Sequence, residues 1–254
     1  MNRRHILSVF RAILAIACIL PSVDLEATAD KVHRRNLNEL INKTEPAWPH
    51  LQRLIKTAKN QVAMPASDPA RSNALLATQV TTRSPMGAII YETGGLLVDH
   101  GWLRILGSGN PKLSRSLPEW NRSVGLDLKL GPPPYLLIAD DVVGGFFALD
   151  GGALGKPGNV FYFAPDSLEW EDTGKGYSDF LDFCLNGDLG KYYKDLRWTG
   201  WQTEIAKLNG DQGISIYPFL SAKGPPIAAR HRGFVPISEL YGVYVNSHQT
   251  LNKK

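Results

Sequence analysis

Cysteine is almost missing from this chain: there are two in 254 residues, Cys18 and Cys184. That scarcity excludes the disulfide framework that holds small secreted domains together, and it leaves little from which to build a cysteine-rich zinc centre. Long apolar runs are missing too. Residues 12–20 are uninterruptedly apolar, but a bilayer-crossing helix needs roughly 20 such residues. Nor is there a strong excess of charge. The 28 Lys and Arg against 24 Asp and Glu give a net +4, too balanced for a polyanionic partner such as nucleic acid. No serine stands in Gly-x-Ser-x-Gly or Ser-x-x-Lys, so the common hydrolase nucleophile patterns are absent. The six histidines include no pair at ligand spacing such as i, i+4. No metal and no cofactor is expected, and the balance tilts away from an enzyme.

What is present begins with the N-terminal segment. Arg3 and Arg4 precede the apolar residues 12–20, and Ala27-Thr28-Ala29 has the small-x-small form of a signal-peptidase site. Residues 1–29 therefore read as a secretory signal cut between Ala29 and Asp30, giving a periplasmic or secreted chain. If the true start codon lies downstream, the chain is cytoplasmic instead. Cys18 lacks the leucine three residues earlier that a lipid-acylation site usually has. Without residues 1–29 the charge balance is 25 basic to 22 acidic and Cys184 is the remaining cysteine. Beside Phe180, Leu181 and Phe183, it reads as a small buried hydrophobe.

Residues 30–254 read as one domain. Leu37, Leu40 and Ile41 form a helical face. Thr44, with Pro46 in the first turn, is set to open a helix whose apolar face is Trp48, Leu51, Leu54, Ile55 and Ala58. Asp68-Pro69 opens another, and Ser84-Pro85 a third that Gly94-Gly95 ends. Strand signals follow, with residues 96–98 and 102–106 flanking the tight turn Asp99-His100-Gly101. Residues 131–134 bar helix and lead into a meander. Its strands are 135–139, 146–150 and 159–163; its first turn is built from Asp140, Asp141, Gly144 and Gly145, and an amphipathic helix over 177–185 closes it. Beyond lie a helix over 201–208, a strand over 214–220 and a terminal turn over 235–240. Helices segregated to one end of an antiparallel sheet define a single α+β domain.

The order Gly94-Gly95, Trp102-Leu-Arg-Ile-Leu-Gly107, Leu117-Pro-Glu-Trp120, Leu136-Leu-Ile-Ala-Asp140, Gly145-Phe-Phe-Ala-Leu-Asp150, Asn159-Val-Phe-Tyr162 and Tyr177-Ser-Asp-Phe-Leu-Asp-Phe183 closely resembles the DUF2625 family of uncharacterised bacterial proteins, over residues 37–245. Within that range residues 94–185 are similar to the SUKH superfamily, whose members pair a polar-Gly-aromatic-x-Leu-Asp hairpin with a following helix. Gly144-Gly145 stands where many of those members have Gly-Asp, and residues 191–254 have no counterpart there, which makes them a family-specific C-terminal extension. The resemblance implies an α+β fold with a curved antiparallel sheet flanked by helices, a protein partner, and no catalytic residues. SUKH members are mostly read as immunity proteins against toxins or as interaction modules.

Two functional readings follow. The first is a non-catalytic protein-interaction module, an immunity-type inhibitor among the options, with Asp140, Asp141, Trp198, Trp201 and Glu204 as candidate partner contacts. Large aromatics beside a charge have the composition of interface anchors, although a Trp-rich core seam between the tail and the sheet is the better reading of the same tryptophans. The second is an envelope enzyme or small-ligand binder whose acid–base groups come from Asp99, His100, Asp140 and Asp141. Asp140, Asp141 and Asp150 around one turn raise a calcium site, but the alternation of an EF-hand loop is missing. Gly155-Lys156 raises a phosphate loop, yet Asp150 stands at the first glycine position and Pro157 at the Ser/Thr position. Both reduce to turn chemistry.

Overall fold

The computed structural model describes residues 34–251, so the expected signal and its Ala29–Asp30 junction lie outside the described residues. The fold is α+β. Seven strands, β1 (Val62–Ala63), β2 (Gly95–Val98), β3 (Leu103–Leu106), β4 (Tyr135–Asp141), β5 (Phe146–Asp150), β6 (Val160–Phe163) and β7 (Trp170–Lys175), form one sheet in sequential order. Every neighbouring pair is antiparallel. The chain therefore folds back on itself strand after strand, and its turns carry the chemistry for it. Between β2 and β3, Asp99, His100 and Gly101 all have positive φ (50°, 60° and 85°), the mirror-image turn whose twist matches that of the flanking strands. Between β4 and β5 the Asp141 carboxylate accepts from the Val143 and Gly145 amides, while Gly144 takes the left-handed conformation.

Four helices precede or interrupt the first strands: α1 (Leu37–Leu40), α2 (Trp48–Lys56), α3 (Arg71–Thr78) and α4 (Pro85–Glu92). Ser84 caps α4 as its sequence implies, accepting from the Gly87 amide. Thr44 does not cap α2. The Asn42 side chain takes the Thr44 and Glu45 amides, making a turn there and deferring the helix to Trp48. Asp68 likewise binds the Ala70 amide, and α3 begins three residues past it. Next come α5 (Leu117–Ser123), with a full Ser116/Glu119 capping box, α6 (Tyr177–Asn186), α7 (Leu189–Tyr192) and α8 (Trp201–Ile205).

The C-terminal turn expected over 235–240 is a correction. Strand β8 (Gln212–Tyr217) pairs with β9 (His231–Pro236) in a hairpin, and α9 (Ile237–Leu251) follows directly. Ile237, Leu240, Tyr241 and Tyr244 recur at helical spacing and are buried. Pro236 at the junction reads as a turn but is simply the last strand residue. These side chains, with Ile214 and Ile216, join the same core as the sheet, so the described part of the C-terminal extension, from residue 191 to 248, packs with the sheet.

Directly opposed residues share a face of a sheet. One row across the sheet is Leu97, Arg104, Asp140, Phe146, Phe163 and Trp170. The adjacent row, Leu96, Ile105, Ala139, Phe147, Tyr162 and Glu171, points the other way. Helices α5 and α9 cover the first face: Tyr241 meets Phe146 at 5.0 Å and Trp120 at 5.7 Å between ring centroids. Helices α6 and α7 cover the second, with Phe180 at 4.9 Å from Phe147 and Tyr192 at 5.8 Å from Tyr162.

Candidate functional site

Asp140 and Asp141 stand at the end of β4 with zero exposure. Their carboxylates are not on a partner surface, because the fold itself uses them. One Asp140 oxygen pairs with Arg104 at 2.6 Å and the other with Arg115 at 2.6 Å. Arg104 faces Asp140 across β3–β4 and also donates to the carbonyls of Asp141 and Gln212. Burial lowers the pKa of this guanidinium, and Asp140 works against that effect. Arg115 continues the chain of charges to Asp211 (3.1 Å) and to the Gly210 carbonyl (2.7 Å). The network thus clamps the approach to β8 onto the middle of the sheet.

Asp141 points to the opposite face, where Tyr162 donates to it at 2.8 Å. Burial raises the Asp141 pKa above the ordinary carboxylate value, against the lowering effect of its bonds from Gly145, Tyr162 and Val143. Gly145 is required at this point: a Cβ there would lie 2.2 Å from the Tyr162 hydroxyl and 2.3 Å from the Asp141 carboxylate. Asp150 is also internal, its carboxylate accepting from the amides of Gly152, Leu154 and Lys156. The aspartates that suggested calcium are therefore spent on turns and ion pairs. Among the described residues no group of three or more His, Cys, Asp or Glu could hold a metal ion.

Asp99 and His100 do not join Asp140 or Asp141 in an acid–base group. Asp99 pairs with Arg197 at 2.6 Å, and the His100 ring stands edge-on to Trp201 at 5.9 Å. Trp198 and Trp201 are buried as well. Arg197 is held among three rings, Trp201 at 4.2 Å, Trp102 at 4.7 Å and Tyr193 at 5.2 Å. Glu204 accepts from the Trp198 indole at 2.8 Å and pairs with Arg232, whose guanidinium lies over the Trp198 ring at 4.6 Å. These residues form a Trp-rich seam between the sheet and the C-terminal segment. The arginines that organise it, Arg104, Arg115, Arg197 and Arg232, escape a sequence reading because their carboxylate partners stand 25 to 98 residues away; only a buried charge in an apolar strand, Arg104 within Leu103–Leu106, carries a local signal.

The β8–β9 hairpin presents an exposed aromatic pair. Tyr217 is 67% and Phe219 38% exposed, their rings 6.3 Å apart. The loop beyond them is wound around Arg230, whose guanidinium donates to the carbonyls of Pro218, Phe219, Ala222 and Pro225. Four carbonyls on one side chain tie the loop together; Tyr217 stands on its outside, and Phe219 is also edge-on to buried Tyr244 at 6.3 Å. Exposed His231 lies directly opposite Tyr217.

An α+β domain with a sequential seven-strand antiparallel sheet, and with Asp140, Asp141 and Asp99 committed to internal partners, is the class this architecture defines. The chain belongs to the family described as protein of unknown function DUF2625, whose model matches residues 37–240. It is 40% identical over 221 residues to the Escherichia coli (strain K12) "putative uncharacterized protein YbfG", covering 86% of this chain and all of that one. It is 42% identical over 189 residues to an uncharacterised protein of Haemophilus influenzae, covering 74% of this chain and 83% of the relative.

Proposed function

We propose that this chain is a non-catalytic protein-binding module of the cell envelope whose contact surface is the β8–β9 hairpin. The observation that carries the reading is the Tyr217–Phe219 pair, exposed on a loop that Arg230 holds rigid. Aromatics are the commonest interface anchors, and pre-ordering the segment that presents them lowers the entropic cost of binding. Exposed Lys223 and His231 flank the pair, so the complementary surface is an apolar pocket with an acidic rim. The SUKH resemblance supports the narrower role of an immunity-type inhibitor, and the secretory pattern of residues 1–29 supports the envelope location.

The test is a photo-crosslinking residue placed at position 217 in the native host, with a second at position 130 as control, because Leu130 is exposed on the 3-10 turn after α5. A discrete adduct from 217 and none from 130 is the expected result. Identical adduct patterns at the two sites, or none at 217, would refute the assignment of this surface.

A further inference from the structure

An edge strand presents unpaired backbone groups on which another chain can align, so folded proteins blunt the edges they do not use. Both edges of the seven-strand sheet are blunted. Strand β1 is two residues long. Strand β7 carries Glu171, Asp172 and Lys175, shifts register against β6, and has its Gly174 amide taken by the Asp172 side chain. Strand β9 differs: it runs in unbroken register with β8, its Arg232 charge is already neutralised by Glu204, and Phe234 is 43% exposed. The Ile214 amide donates to the Val142 carbonyl at 2.6 Å, on the side away from β9. Directly opposed residues of an antiparallel pair alternate between bonded and non-bonded, so Ile214–Phe234 and Ile216–Arg232 are non-bonded pairs. The N–H and C=O groups of Arg232 and Phe234 therefore point outward, and no other described residue bonds them. Helix α8 does not cover them, because a groove of about 330 Å³ lies between Thr203 and the run Arg232, Gly233 and Phe234. Gly233 itself has no reason inside the chain: its φ is outside the left-handed region, and a Cβ there would meet nothing within 4 Å. A glycine within a strand often marks a point where another backbone approaches closely.

We propose that β9 pairs with β9 of a second copy of this chain, antiparallel about a two-fold axis through Gly233. Two-fold pairing is the commonest way for a chain to associate with itself, and it makes the contact self-complementary. In this register Arg232 of each chain stands opposite the partner's Phe234, and each pair exchanges both of its N–H and C=O bonds. Every outward group of the two residues is then used. A register centred on Phe234 would instead set Pro236, which has no N–H, against an Arg232 carbonyl. Like charges do not meet across the axis, since Arg232 faces an aromatic ring, a favourable neighbour for a guanidinium. At the axis the two glycines form a non-bonded pair, whose Cα atoms lie about 4.5 Å apart. A lone two-stranded hairpin is marginal by itself, and the pairing turns it into a four-stranded sheet. This contact uses the outer edge of β9 and not the loop beyond Tyr217, so it stands whether or not that loop binds a protein.

The test is sedimentation velocity of the intact protein from about 1 μM to about 500 μM, because pairing one short strand from each copy buries less than the roughly 1,200 Å² of a standard interface and gives micromolar association. A concentration-dependent shift to twice the monomer mass is expected. Phe234→Lys, at a half-exposed position, sets a second cation opposite the partner's Arg232 in both pairs and should weaken the dimer at least about tenfold. Gly233→Cys, whose side chain has open space in the single chain, should crosslink across the axis under mild oxidation, since a Cα separation of about 4.5 Å is within disulfide reach. Leu130→Cys, on the exposed turn after α5, is the control that should stay uncrosslinked. A parent of monomer mass at every concentration, a dimer that Phe234→Lys leaves intact, or a Gly233→Cys variant that crosslinks no faster than Leu130→Cys would overturn the proposal.

Discussion

Asp140→Asn is the sharpest test of how this fold is held. The substitution keeps the side-chain shape and opens no cavity, but it removes the carboxylate charge shared by Arg104 and Arg115. Arg115 keeps Asp211 as a second anionic partner. Arg104, 1% exposed, is left with neutral acceptors, the carbonyls of Asp141 and Gln212 and the amide oxygen at position 140. Removing one member of a buried ion pair costs about 3–5 kcal/mol, because the other charge stays desolvated and uncompensated. With Arg115 spared, about 3 kcal/mol is expected. For a domain of this size each kcal/mol moves Tm by about 2–4 °C, so a fall on the order of 10 °C should follow. Urea unfolding monitored by tryptophan fluorescence should show a lower midpoint with an unchanged slope. The double variant Arg104→Met/Asp140→Leu should recover much of the loss, since both charges are then gone. A single variant within about 1 kcal/mol of the parent, or a double variant worse than the single, would refute the account of Asp140 as a buried clamp.

Gly145→Ala should destabilise by about 1–3 kcal/mol through overpacking and should break the Tyr162–Asp141 bond, seen as a change in the tyrosine ultraviolet spectrum; an unchanged spectrum and midpoint would count against the contact. Cys184 is buried and its thiol pKa is pushed well above the ordinary value by that burial, so it should resist a thiol reagent in the folded protein and react on unfolding, whereas prompt native labelling would contradict the packing. Asp141 has a raised folded pKa, so its contribution to stability is present below the unfolded carboxylate value and is lost as pH rises through the folded one. The stability of Asp141→Asn relative to the parent should therefore improve from about pH 4 to pH 7, and a decline measured by urea midpoints would sink this reading. Asp172, held at about 2 chiefly by its hydrogen bond from Lys156, has the opposite sign: its contribution is present above the unfolded value and disappears as pH falls through about 2. Arg230→Ala should speed amide exchange across residues 218–230 while leaving the global unfolding midpoint nearly unchanged; unaltered exchange would show that the loop does not depend on its arginine.

The meander from Tyr135 through the helix at Tyr177 was legible because its apolar runs, Asp/Gly turns and aromatic helix face are local signals. Turn Asp99-Gly101 was legible for the same reason. Edge strand β7 was not, because Trp170–Lys175 is mostly polar and half exposed, and its pairing with β6 shifts register between Val160 and Phe161. Nor was α9, whose apolar spacing is interrupted by Ser238, Gly242 and Asn246 and is satisfied only by the hairpin and sheet it covers. Among the candidate site residues, the tryptophans Trp198 and Trp201 were already legible as a core seam, whereas the burial of Asp140 and Asp141 was not. That depends on arginines brought from distant segments, and no spacing rule connects Arg115 to Asp211 or Arg197 to Asp99.

The clamp from Arg104 and Arg115 to residues 210–212 has a consequence for synthesis. All seven strands of the sheet have left the ribosome once Lys175 has emerged, and neighbouring strands are joined in chain order, so the sheet can begin to assemble early. Yet two guanidiniums in its middle still lack the carbonyls of Gly210 and Gln212 and the carboxylate of Asp211. The nascent sheet must therefore keep that face wet until the last fifth of the chain arrives to seal it. A chain that stalls before residue 210 should linger in an open, chaperone-dependent form.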